Sequence, residues 1–370
     1  MTVSDELIFV AVLALRLGVP LLIFRFPLPA IVAALVIDAA DQTIFQNNTD
    51  LDLEGYQGYD KALDVYYLAI AYLSTFRNWA DPFAARVAQF LWYYRLVGVV
   101  AFELTQERAL LLVFPNTFEY FFICYEVVRL AWDPRRLSHR QVIGLAAFIW
   151  IVVKLPQEWW IHIAQLDFTD FMKEDVFGVS VETSWGTAIG ENLWFLVLLA
   201  VLVVAIVLAV RWAIGAAPRP DWPFSVDVDR HRTSTRLDAG PQRTRVFEWD
   251  LAEKAALTAL IAIIFSQVIP NTELTPLGVV LTVSLVVVAN AVVSQWLAAR
   301  GRSWAAAGGS FLAMVSINAV IVIVFELVFG SRDVNVPAGL FLLLLLTLVI
   351  TLYDRYRPLR SAGYGSIDMS

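Results

Sequence analysis

The sequence predicts an all-α integral membrane protein, a multi-pass helical bundle of about 11 transmembrane helices, and three observations carry that expectation. Hydrophobic residues make up 59% of the 370 and charged residues 16%, against roughly 45–50% and about 25% in an ordinary soluble protein. Apolar runs such as 193–211 and 338–353 approach the twenty residues that a bilayer core of about 30 Å requires. Basic residues also collect in alternate loops, as membrane topology demands.

The first span, 6–24, follows an acidic start with Asp5 and Glu6. A secretory signal needs positive charge there, so this segment is expected to remain as a membrane helix. Arg25-Phe26-Pro27-Leu28-Pro29 leaves only a tight turn before the second segment, 27–46, which either spans or forms a re-entrant hairpin. Further spans are read at 62–77, 84–103, 109–131, 140–157 and 191–214, cut at charged or Pro/Gly-rich breaks. Four nearly uncharged ones follow at 251–269, 274–298, 305–329 and 336–353.

This divides the chain into a polar-studded seven-helix bundle (1–215), a linker rich in Pro, Asp and Arg (216–248), an apolar four-helix bundle (249–355) and a disordered Gly/Ser-rich tail (356–370). The loop 158–190 sets Trp159, Trp160, His162, Phe168, Phe171, Met172 and Trp185 among acids. It is either an aromatic belt in the headgroup region or a lid over a site.

On this plan 20 of the 27 basic residues fall on the side that holds the C-terminus. The N-terminus is therefore expected outside and the C-terminus in the cytoplasm. Arginine far outnumbers lysine, which points to a GC-rich prokaryotic genome and a plasma-membrane location. The acidic balance mixes two opposed surfaces and gives no support for nucleic acid as a partner. The expected partners are the lipid bilayer and a second copy held through the last four helices.

In or at the edges of the spans, apart from the basic residues at their cytoplasmic ends, stand Arg16, Asp38, Asp41, Asp64, Arg95, Glu103, Glu119, Glu126, Lys154, Glu158 and Glu326. Each costs roughly 2.5–3.5 kcal/mol at mid-bilayer, so they should face the bundle interior or snorkel to its surface. Asp64, Glu103, Glu158 and Glu326 sit within about 6 Å of a boundary at 1.5 Å per residue. By the same ruler Arg95 and Glu119 both reach roughly 14–15 Å on helices joined by a short loop, predicting a buried Arg95–Glu119 ion pair. Arg16 and Asp38, at roughly 15 and 12 Å, form a second expected pair. Asp38 and Asp41 are three apart, Asp60 and Asp64 four, Glu119 and Glu126 seven, so each couple shares a helical face.

The familiar catalytic signatures are missing: there is no Walker A loop, His-Glu-x-x-His pair or Gly-x-Ser-x-Gly elbow. One cysteine, Cys124, excludes a disulfide framework and a cysteine metal site, and none of His139, His162 and His231 lies in a span. No cofactor is expected on the leading reading. That reading is a transporter or conducting bundle with an outward-biased polar cavity. Asp38, Asp41, Arg95, Glu119 and Glu126 would line it, with Arg16 as compensating charge. A membrane-embedded enzyme of lipid or lipid-linked sugar metabolism is the alternative, with a divalent cation on Asp38, Asp41 and Asp64. For Asp50 and Asp52 a solvated loop is expected. A structural or assembly subunit without chemistry of its own is the third reading.

Overall fold

The computed structural model describes residues 3–49, 56–230, 249–268, 287, 315–316 and 344–357. Spans 274–298 and 305–329 apart from 287 and 315–316, the tail beyond 357, Glu326, the Asp50 and Asp52 loop and the Asp60 side chain lie outside the described residues, as does most of the expected dimer surface. Among the described residues every regular element is helical. Five of these helices are long and apolar enough to cross a membrane: Leu7–Phe24, Pro82–Thr105, Ala109–Arg129, His139–Ile163 and Leu193–Ala216. The chain is a helical membrane protein.

Local sequence sets the helix ends. Helix α1 (Val3–Leu21) tightens into a 3-10 turn at Leu22–Phe24, and Pro27 then opens α2 (Pro27–Asn48), where a missing N–H costs nothing. Because α2 runs unbroken for 22 residues, the segment is one helix and not a re-entrant hairpin. Helix α3 (Tyr56–Asn78) starts well before its apolar stretch. Asp81 caps α4 (Pro82–Thr105) by accepting from the Phe83 N–H, and Gln106 closes it in the left-handed region at φ 58°.

The short α5 (Ala109–Val113) stops at Phe114, and Pro115 and Asn116 separate it from α6 (Thr117–Arg129). A capping box of Ser138 and Gln141 starts α7 (His139–Phe148). The same helix continues through π-helical Ile149–Lys154, α8 (Leu155–Glu158) and π-helical Trp159–Ile163. Beyond it come α9 (Phe168–Phe171), which runs into a π turn at Met172–Val176, then α10 (Trp185–Glu191), α11 (Leu193–Ala216) and α12 (Trp249–Val268). A last helix, α13, occupies 344–357.

Helix α3 is the axis of the bundle. Every residue from 65 to 73 is buried, with α1, α2, α4 and α12 packed around it. Its tyrosines pack among rings, Tyr72 lying 6.0 Å from Trp92 and 5.0 Å from Phe76. Residues of α12 and α13, including Leu257, Ile261, Val349 and Tyr353, join the same core. Helix α11 is the opposite case, since none of its 24 residues is buried. A helix apolar on every side and packed against so little protein presents its surface to lipid.

The linker is ordered in its first part. Residues 217–230 lie as a strap across the arginine-rich ends of the helices. Asp221 N–H donates to the Ala131 carbonyl, Ser225 N–H to Leu130 and Val228 N–H to Arg25. Three ion pairs reinforce it: Arg25–Asp227 at 3.0 Å, Arg77–Asp229 at 2.6 Å and Arg136–Asp221 at 2.5 Å. The Trp222 indole also donates to the Arg129 carbonyl at 3.1 Å.

Candidate functional site

The polar groups of the first eight helices form two sets. At 1.5 Å per residue, Asp38, Asp41 and Asp64 lie about 16–21 Å along their helices from the strapped ends. All three converge on Arg16. The guanidinium donates through Nη1 to Asp41, through Nη2 to Asp38, and through Nη2 to Asp64 at 2.9 Å. Arg16 and Asp41 are deeply buried, whereas the side chains of Asp38 and Asp64 remain 25% and 40% exposed. The cluster is thus a buried cation under an acidic rim. Tyr66 bonds the Leu17 carbonyl at 2.9 Å, fixing α1 against α3 beside Arg16.

The expected Arg16–Asp38 pair is present, and Asp41 and Asp64 complete it. These are also the three carboxylates named for a divalent ion. The positive charge they surround is the Arg16 side chain, and among the described residues no group of three or more His, Cys, Asp or Glu is placed to hold a metal.

One helical turn along α3 from Asp64, the Tyr67 hydroxyl donates to Glu119 Oε1 at 2.7 Å. Asn116 Nδ2 takes the other oxygen at 2.7 Å. The Asn116 backbone N–H reaches Glu158 Oε1 at 3.3 Å. Glu158 lies 3.8 Å from Lys154 Nζ and 3.1 Å from His162 Nε2, and Lys154 sits over the Tyr120 ring at 4.4 Å. A continuous series of polar contacts therefore runs from Tyr67 through Glu119 and Asn116 to His162.

Arg95 does not make the predicted ion pair with Glu119. Its Nη1 donates to the Phe114 carbonyl at 3.0 Å. The reason is Pro115. It interrupts the helix that the sequence presents as continuous, so Glu119 belongs to the first turn of α6 and the Phe114 carbonyl, at the break, accepts from the guanidinium. Arg95 acts on Glu119, Glu158 and Asp64 through its charge at longer range.

Glu126 belongs to the second set. It accepts from Trp79 Nε1 at 2.6 Å and from Arg129 Nη1 at 2.8 and 2.9 Å. Seven residues, or about 10 Å of helix, separate it from Glu119. Phe121, Phe122 and Tyr125 are buried in that interval. An aromatic layer thus lies between Glu126 and Glu119.

Lys154, Glu158 and His162 were not among the predicted lining residues, although their spacing of four along one helix is a readable signal. Glu253 was missed as well. It accepts from Tyr72 and Gln89 on Oε1, both at 2.8 Å, and from Tyr353 and Arg357 on Oε2, both at 3.2 Å. No family model matches this chain, and comparisons with curated proteins and solved structures also give no match.

Proposed function

We propose that the protein is a membrane transport protein whose route begins at the polar network of α1–α8 and carries protons or small cations. In this reading the bundle has eleven spans in a prokaryotic plasma membrane, with the network opening outward and the strap facing the cytoplasm. The observation that carries it is the charge balance. Among the described residues, five carboxylates, Asp38, Asp41, Asp64, Glu119 and Glu158, stand in the network beside Arg16, Arg95, Lys154 and the titratable His162. An excess of carboxylate inside membrane helices is costly and is offset when the site takes up positive charge. The aromatic layer below Glu119 and the strap suit a state closed on the far side.

The metal-dependent enzyme reading asks Asp38, Asp41 and Asp64 to present oxygens to an ion, and Arg16 already engages all three. Flux into proteoliposomes tests the transport reading. Imposed proton, sodium and potassium gradients should reveal flux for at least one cation. Glu119→Gln and Asp64→Asn should abolish it while the protein still inserts and elutes as a single species. No flux under any of the three gradients, or equal flux in Glu119→Gln, would overturn the proposal.

A further inference from the structure

We propose that Glu158 and His162 form a proton-binding site through which the buried network exchanges protons with water. The inference takes its purpose from the transport reading, but the site is read from its own geometry. Pro156 has no N–H, so the helix cannot close the bond to the Val152 carbonyl. The backbone answers with π-helical turns on both sides, Ile149–Lys154 and Trp159–Ile163. Such widened turns are rare and concentrate at functional sites. Here they bracket one carboxylate: Lys154 stands one turn before Glu158 and His162 one turn after it, at 3.8 and 3.1 Å.

Exposure gives the site a direction. The side chains of Lys154 and Glu158 are 5% and 7% exposed, whereas His162 is 23% exposed. His162 opens to the outside of the bundle at the last turn of the span His139–Ile163, and Glu158 is closed off behind it. Inward, Glu158 Oε1 accepts from the Asn116 N–H, whose own side chain holds Glu119. Histidine is the side chain whose ordinary titration falls between about pH 5 and pH 8. A hydronium ion gives up one O–H bond and departs as water, one N–H bond forms on Nε2 against Oε2, and the site gains one positive charge; release runs the same exchange backwards.

The charged groups facing the pair come from every neighbouring element. Arg95 of α4 and Arg108, which precedes α5, repel a charge on His162, and Glu158 attracts it. Glu119 of α6 attracts Lys154, and the Tyr120 ring lies beneath that ammonium. Burial weighs most against a charge on His162; beyond it, the site has a carboxylate that favours the proton and two arginines that oppose it. Changing one of each kind should move proton affinity in opposite directions.

The chain contains only three histidines, His139, His162 and His231, so the whole protein labelled with ¹⁵N-histidine in nanodiscs gives a readable set of signals. His162→Gln assigns its own signal by removing it. In the unmodified protein that signal should titrate reversibly. Glu158→Gln should weaken proton binding at His162 about tenfold or more, since an opposite charge at this distance is worth 1–3 pH units. Arg108→Gln, at an exposed position that leaves the fold untouched, should strengthen it. A His162 signal that stays constant from about pH 5 to about pH 9, or a titration unmoved by both substitutions, would overturn the site. The readout needs no flux: titration without transport removes the transport reading alone, and transport without titration removes this site alone.

Discussion

The Tyr67 hydroxyl donates a 2.7 Å hydrogen bond to Glu119 Oε1, joining two buried residues 52 positions apart. It is the direct link between the central helix α3 and α6 within the polar network. A bond to a buried carboxylate contributes more than one at the surface, because its loss leaves charge with one donor fewer. Tyr67→Phe should destabilise the protein by about 1.5–3 kcal/mol. Tyr94→Phe, which removes an exposed bond to the Val113 carbonyl, should cost half of that or less. Thermal unfolding of the two variants in detergent compares them directly, and equal losses would show that the Tyr67 bond has no special standing.

Arg16 is bonded to Asp38, Asp41 and Asp64 at once. Arg16→Met leaves three carboxylates close together, with Asp41 fully buried. Removing one partner of a buried pair costs about 3–5 kcal/mol, and folding yield should fall accordingly. Adding Asp38→Asn and Asp41→Asn to Arg16→Met should recover part of that loss, because the repulsion goes with the charges. The triple variant being no more stable than Arg16→Met would show that the arginine acts through its packing.

Gly98 allows α4 to approach the break before α6. A Cβ at this position would stand 2.0 Å from Phe114 Cβ, the residue whose carbonyl receives Arg95. Gly98→Ala should therefore cost about 1–3 kcal/mol through overpacking and disturb Arg95 at the same time. Gly144→Ala meets nothing within 4 Å and should instead stabilise its helix by up to about 1 kcal/mol. Opposite signs in the two melting shifts are the expected result.

Glu253 gathers four donors from three other helices onto one side chain, Tyr72, Gln89, Tyr353 and Arg357. Glu253→Ala removes the acceptor that ties α13 to α3 and α4. Hydrogen exchange of residues 344–357 should accelerate at least tenfold while the middle of α3 stays protected. Exchange that rises equally in both would indicate global loosening.

What the sequence made legible follows from which surface each helix presents. Lipid-facing helices such as α11 announce themselves by composition. Helix α3 faces protein on all sides, so tyrosines, a serine and a threonine are tolerated there, and its apolar window begins at 62 although the helix begins at Tyr56. That offset moved Asp64 to a boundary on paper, when it stands eight residues inside the helix and meets Arg16. Depth arithmetic found Arg16–Asp38 because α1 and α2 are unbroken around the Arg25 turn. The same arithmetic failed for Arg95–Glu119 because Pro115 breaks the ruler. The role of Glu253 depends on Tyr353 and Arg357, a hundred residues away, and periodicity carries no information at that range.

The strap offers a test by acid. The Arg25 hydrogen bonds hold the Asp227 carboxyl below the usual aspartate range. Burial pushes Asp133 upward, but its bonds from Arg135 outweigh this and lower it. A depressed carboxyl contributes stability above its unfolded value, about 3.9, and the contribution disappears as pH falls through the lower folded value. The strap should thus be fully seated at neutral pH and loosen as pH falls below about 4. Trp222, bonded to the Arg129 carbonyl, reports this as the fluorescence difference between the protein and its Trp222→Phe variant. High salt should loosen the exposed Arg25–Asp227 contact in the same direction, and Asp227→Asn should reduce the salt effect. If the Trp222 signal is unchanged through the acid range, the backbone bonds from Asp221, Ser225 and Val228 hold the strap and its ion pairs are incidental.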